Sequence, residues 1–187
     1  MKLIFALVAA SLAIIGNVPY LRDMFRGKVK PHPYTWFIWS IVSGVTFAGQ
    51  WIGGAGWALI AFGASEIFTF IIFLFSLKYG FKNIPRADTW FLVVAILGLI
   101  PWIITKDPTL SVVIMVTIDC IAFIPTLKKG WQHANTEDAI LYESNALRHI
   151  LALMALSSYN IATMFHSVAM IITNSAMVFG LLTHKKK

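Results

Sequence analysis

Charge is what this sequence has least of. Asp, Glu, Lys and Arg together make up 12% of its 187 residues, while apolar types make up 58%, far more apolar side chain than a soluble domain of this size can bury. A spanning helix takes roughly 20 predominantly apolar residues. Seven stretches qualify: 3 to 21, 35 to 53, 57 to 77, 89 to 105, 109 to 127, 139 to 158 and 160 to 183. The connections between them are too short to hold a soluble domain, so the expected fold is an all-α membrane protein. Cysteine is nearly absent as well. With Cys120 alone, no intrachain disulfide and no thiolate metal cluster can be built. There is no H-E-x-x-H, no serine in a nucleophile setting, and no lysine in the final span to form a retinal Schiff base. No catalytic residue, metal or cofactor is therefore expected.

The formal charge of +7 is spread in a way that points away from nucleic acid and toward a bilayer. Segments on the N-terminal side of the membrane carry only Lys2 and Lys106. The opposite side carries Arg22, Arg26, Lys28, Lys30, Lys78, Lys82, Arg86, Lys128, Lys129 and Lys185 to Lys187, and Arg148 alone falls inside a span. The positive-inside rule then puts the N-terminus outside and the C-terminus in the cytoplasm of a multi-pass protein of the cell membrane. Lys2, followed by an apolar run and the small residues Ala9, Ala10 and Ser11, has the outline of a secretory signal. The run continues to Leu21, however, and is expected to be retained as a span.

An internal repeat organises the chain. The stretch from Asn17 to Ser43 aligns without a gap on Phe123 to His149 at a constant offset of 106, which sets Pro19 on Pro125, Leu21 on Leu127, Arg22 on Lys128 and Phe25 on Trp131. Proline lacks the N–H and clashes with the preceding turn, so span one is expected to end at Pro19. Span two is expected to start at Thr35 as a cap, and the Gly53, Gly54, Gly56 turn to lead into span three. Span four has no partner in the repeat and is expected to kink at Pro101. Spans five to seven then repeat one to three. The division is a first three-helix unit over 1 to 77, a basic loop and linker helix over 78 to 108, and a second unit over 109 to 187. Two parallel units related by an axis along the membrane normal place a substrate site between them near mid-membrane.

The three-one-three order, the outside N-terminus and the prolines at the cytoplasmic ends of spans one and five resemble the SWEET sugar carriers and their PQ-loop relatives. Tyr20 and Thr126 stand where PQ-loop proteins carry glutamine after the proline. The W-x-x-W at Trp36 to Trp39 also resembles a feature of the Pnu-type carriers of nicotinamide riboside and related vitamins. The resemblance implies a carrier with a central site, and implies that Asn174 is an amide in contact with substrate.

On span two, Trp36, Trp39, Ser43 and Gln50 lie on one helical face. Their repeat partners are Tyr142, Asn145, His149 and Leu156. Aromatic, amide, hydroxyl and imidazole groups meeting across a pseudo-twofold axis suit a sugar-like or nucleoside-like ligand. The alternative is that Trp36 and Trp39 belong to an interfacial aromatic belt, and that Asn174 is an amide bonding between helices. Glu66, Asp119, Glu143, Arg148, His149 and His166 are ionisable residues within spans, where a charge calls for a cavity or a partner. Two readings stand for them. In one, Glu66 or Asp119 titrates with His166 as relay in proton coupling. In the other, Asp119 pairs with Arg148 to hold the second unit together.

The leading expectation is a carrier that moves a small neutral polar solute, sugar-like first, by alternating access, with Pro19 and Pro125 bending at a gate. The alternatives are a nicotinamide-riboside or vitamin carrier, and a receptor or sorting protein that binds without translocating. The expected partners are the solute and the lipid bilayer, with a homo-oligomer left open.

Overall fold

The computed structural model describes residues 1–80, 82, 86–97, 100, 104, 107–132, 134 and 139–184. The regular elements among them are all helical. In chain order they are α1 (Lys2–Phe25), α2 (Pro33–Ile52), α3 (Ala58–Tyr79), α4 (Arg86–Leu97), α5 (Pro108–Gln132), α6 (Ala139–Ala155) and α7 (Ile161–His184). Three stretches, Lys2–Phe25, Ala58–Tyr79 and Ile161–Thr183, are long and apolar enough to cross a membrane, and Thr109–Ile124 in α5 is apolar but shorter. This marks the chain as a helical membrane protein. The other expected spans fall short of that measure for a readable reason. α2 is diluted by Thr35, Ser40, Ser43, Thr46 and Gln50, and α6 is 17 residues long and holds Glu143, Asn145, Arg148 and His149.

Helix ends correct the expected boundaries. α1 does not stop at Pro19 but runs through it to Phe25. The stop is supplied by Gly27, at φ 71°, with Lys28 N donating to Asp23 O at 2.9 Å and Gly27 N to Met24 O at 3.0 Å. That is the glycine-closed end in which a left-handed residue turns the chain back onto the last free carbonyls. A proline inside a membrane helix is tolerated where neighbours shield the freed carbonyl. α2 begins at Pro33 rather than Thr35, with His32 at the cap position, because the fixed φ of proline is already that of a first helical residue. The expected glycine turn between α2 and α3 is present, with Gly54 and Gly56 at φ 80° and 63°. The Pro101 kink and the Lys185 to Lys187 tail lie outside the described residues.

The packing follows a pattern of exchange. α1 packs on α3 and α6, α2 on α3 and α5, α5 on α7, and α6 on α7, with lesser contacts of α2 with α7 and α3 with α6. Exchanging α1 with α5, α2 with α6 and α3 with α7 returns the same set of pairs. α4 packs on α2 alone among the main contacts.

Small side chains set the close approach at one end. Ala6, Ala9, Ala55, Ala58, Ala61, Ala152 and Ala155 are fully buried around Phe62 and Leu156, the composition that lets helix backbones meet when lipid offers no hydrophobic drive. Here the two glycine and serine links also bond to each other, Ser157 N to Ala55 O at 3.1 Å and Asn160 Nδ2 to Gly53 O at 3.1 Å. Ile4, Leu7, Ile14, Ile15 and Val18 of α1 and Ile172, Phe179 and Leu182 of α7 are exposed. Apolar outside and polar inside is the arrangement a bilayer requires.

Candidate functional site

A cavity of about 670 Å³ opens beside Lys28 and Lys30 of the α1–α2 loop and Tyr34 in the first turn of α2, and reaches inward to Gln50, Phe62, His149 and His166. Beyond its floor lie the packed alanines and the bonded links. Each substrate contact expected from sequence, Trp36, Trp39, Ser43, Tyr142, Asn145, His149 and Asn174, lines this cavity, and so do Glu66, Asp119 and His166. Trp36 is buried at 6% exposure and turned inward, which removes the lipid-belt reading for it. The two prolines are placed differently. Pro19 lies inside α1, next to the cavity residue Tyr20, and Pro125 falls within α5 with its side chain outside the described residues.

Both halves contribute matched positions. At the offset of 106, Asn17 and Phe123, Tyr20 and Thr126, Trp36 and Tyr142, Trp39 and Asn145, and Ser43 and His149 all face the cavity. The constant offset fails beyond this point. α2 has 20 residues and α6 has 17, so the third helices start at 58 and 161, a difference of 103. The 106 offset therefore does not carry over to α3 and α7, where the cavity is lined by Phe62, Ser65, Glu66 and Thr69 from the one and His166, Met170 and Asn174 from the other.

The wall nearer the mouth is aromatic. Tyr20 and Trp36 stand with ring centroids 5.4 Å apart, Trp36 and Trp39 5.1 Å, Trp39 and Phe123 6.5 Å, and Phe123 and Tyr142 6.2 Å. These are the spacings of tilted and edge-on ring packing, and the arc crosses from one half to the other.

The floor is basic. Arg148 Nη2 lies 2.9 Å from His149 Nε2 and 3.5 Å from Asn145 Oδ1, and His149 Nδ1 lies 3.2 Å from Ser167 Oγ. The rings of His149 and His166 stand 5.2 Å apart, with Phe62 about equally far from both. The expected pairing of Asp119 with Arg148 is not made. The ion pair among the described residues is Arg22 with Asp23, and Asp119 stands beside Trp39 while Glu66 stands beside Ser43. The alternative reading of Asn174, an amide bonding between helices, is not what the structure has. Its amide donates to Met170 O of its own helix at 2.8 Å, as Asn17 does to Ala13 O at 2.8 Å.

Among the described residues, the buried polar atoms without a hydrogen-bond partner include Thr46 Oγ1, both amide atoms of Gln50, Glu66 Oε2, Arg148 Nε and His166 Nδ1. All belong to residues that line the cavity. An unsatisfied buried polar group costs about 1–3 kcal/mol, so this concentration is what a site for a polar occupant looks like. Sequence reasoning passed over Asn17, Thr46, Ser65 and Thr69. Thr46 was within reach, since it continues the stripe from Trp39 and Ser43 to Gln50. A lone amide in an apolar span was the signal for Asn17.

The fold and site thus define a helical membrane protein with an internal polar cavity. Comparison with protein-family models, curated proteins and solved structures finds no match to this chain.

Proposed function

We propose that the protein is a carrier that moves a small, ring-bearing polar solute, sugar-like or nucleoside-like, across the cell membrane by alternating access. The observation that carries this reading is the set of unpartnered buried polar atoms around one cavity of ligand size, open at one end and sealed by packed alanines at the other. The exchange pattern of the helix contacts supports two like triplets, α1 to α3 and α5 to α7, bridged by α4, in the three-one-three order of SWEET and PQ-loop carriers. Rocking one triplet against the other would open the sealed end and close the mouth. With the N-terminus outside, the mouth beside Lys28 and Lys30 faces the cytoplasm. Trp36, Trp39, Tyr142 and Phe123 would stack on the ring, and Ser43, Gln50, Asn145 and Asn174 would meet its polar groups.

Counterflow in proteoliposomes tests this. Vesicles preloaded with unlabelled sugars or nucleosides should take up the labelled compound transiently above equilibrium, and Trp39→Ala should abolish the overshoot. Saturable binding with no exchange of any bound solute would instead make the protein a receptor.

A further inference from the structure

Arg148 is 5% exposed and lines the cavity floor. Its guanidinium is permanently charged and carries five N–H donors. The acceptors it reaches, His149 Nε2 and Asn145 Oδ1, are uncharged, and its Nε has no partner. Among the described residues no carboxylate oxygen lies within 4.0 Å of it, the ion pair being that of Arg22 and Asp23. Glu66 and Asp119, the carboxyls on the same cavity, are turned to Ser43 and Trp39 of α2. A cation held out of water without an anion is strongly disfavoured, and none of the described residues around Arg148 supplies one. His166, buried and with Nδ1 unpartnered, stands on the same floor. A neutral sugar satisfies donors and acceptors but leaves this charge uncompensated.

Building on the carrier reading, we propose that the solute bears a carboxylate, which docks on Arg148 with His166 at its side and directs its ring toward Trp39, Phe123 and Tyr142. The planar guanidinium fork matches a carboxylate better than a lysine would. The substrate class is therefore a small organic acid with a ring, of the sugar-acid or aromatic-acid kind, rather than a neutral sugar.

The test uses matched pairs that differ in charge and little else: nicotinate against nicotinamide, benzoate against benzamide, and glucuronate against glucose. Thermal midpoints of the purified full chain in detergent are followed as each is titrated. At least one acid is expected to raise the midpoint saturably, at about tenfold or more lower concentration than its neutral partner. Arg148→Gln should remove that shift and Arg148→Lys should weaken it. Equal responses to acid and neutral partner, no response to any acid, or an acid response unchanged in Arg148→Gln would each overturn the proposal. Arg148→Gln without ligand keeps the test meaningful. It removes an uncompensated charge while keeping an amide N–H that can donate to His149 Nε2, so its midpoint should match or exceed the wild type, and a clear fall would show Arg148 to be structural. Counterflow separates this idea from the one beneath it. Exchange of glucose in preference to glucuronate overturns the acid and keeps the carrier, whereas binding of an acid without exchange keeps the site and removes the carrier.

Discussion

Arg148 Nη2 stands 2.9 Å from His149 Nε2, and since a guanidinium can only donate, the imidazole accepts at that nitrogen. The proton of His149 is then on Nδ1, which donates to Ser167 Oγ at 3.2 Å. This ties α6 to α7 and sets the tilt of the arginine at the cavity floor. His149→Ala would leave two buried groups without their partner. It is expected to destabilise by about 2 kcal/mol or more, by the loss of a bond to a charged donor and the orphaning of the serine. Thermal denaturation in detergent measures the loss, and nitrogen NMR of labelled histidine should show Nε2 unprotonated. A protonated Nε2 would require Arg148 to point elsewhere.

Gln50 and Thr46 are fully buried, at 0% and 1% exposure, and their side-chain polar atoms have no partner. Groups kept for the fold would be bonded to it. Gln50→Leu and Thr46→Val are each expected to hold or raise ligand-free stability by about 1 kcal/mol. Both should weaken whatever solute shift the wild type shows. A loss of stability with solute binding intact would make them structural groups.

How much of this was legible beforehand follows from where each signal lies. The inward stripe of Trp36, Trp39 and Ser43 could be read because three and four residue steps place side chains on one helix face. The repeat placed Tyr142, Asn145 and His149 opposite it, since α2 and α6 keep the same register through their first turns. That register is lost at the end of α6, which stops three residues early, and no local feature of the sequence announces it. The end of α1 was misjudged because proline is a weaker stop in a membrane than glycine in the left-handed region, here Gly27. The pairing of Asp119 with Arg148 failed for a different reason. Opposite charges in one chain suggest a partner, but which cavity wall each faces is decided by helix rotation, and only packing fixes that.

Asp119 is buried on the cavity wall beside Trp39, and its repeat counterpart is Ala13. A carboxyl present in one half alone is a suitable place for a proton to enter the cycle. If it does, uptake into proteoliposomes should rise when a proton gradient is imposed, and Asp119→Asn should erase that rise while leaving counterflow at equal pH intact. Glu66→Gln serves as the comparison on the facing triplet. Transport that ignores the gradient in the wild type would remove proton coupling and leave the carrier reading untouched.

The sealed end of the cavity offers a direct check on alternating access. A Cβ built on Gly54 would lie 3.7 Å from the Cβ of Ser158, within the usual range of about 3.5–4.5 Å for a disulfide. In a Cys120→Ala background, Gly54→Cys with Ser158→Cys should oxidise readily, although the positive φ at position 54 is expected to cost about 1–2 kcal/mol. The bond would join the α2–α3 link to the α6–α7 link and hold that end shut. Oxidised protein should then bind solute from the open mouth with unchanged affinity but carry out no counterflow, and a reductant should restore exchange. Exchange that continues through the oxidised protein would mean that these two links never part, and solute would have to cross by some route other than rocking of the two triplets.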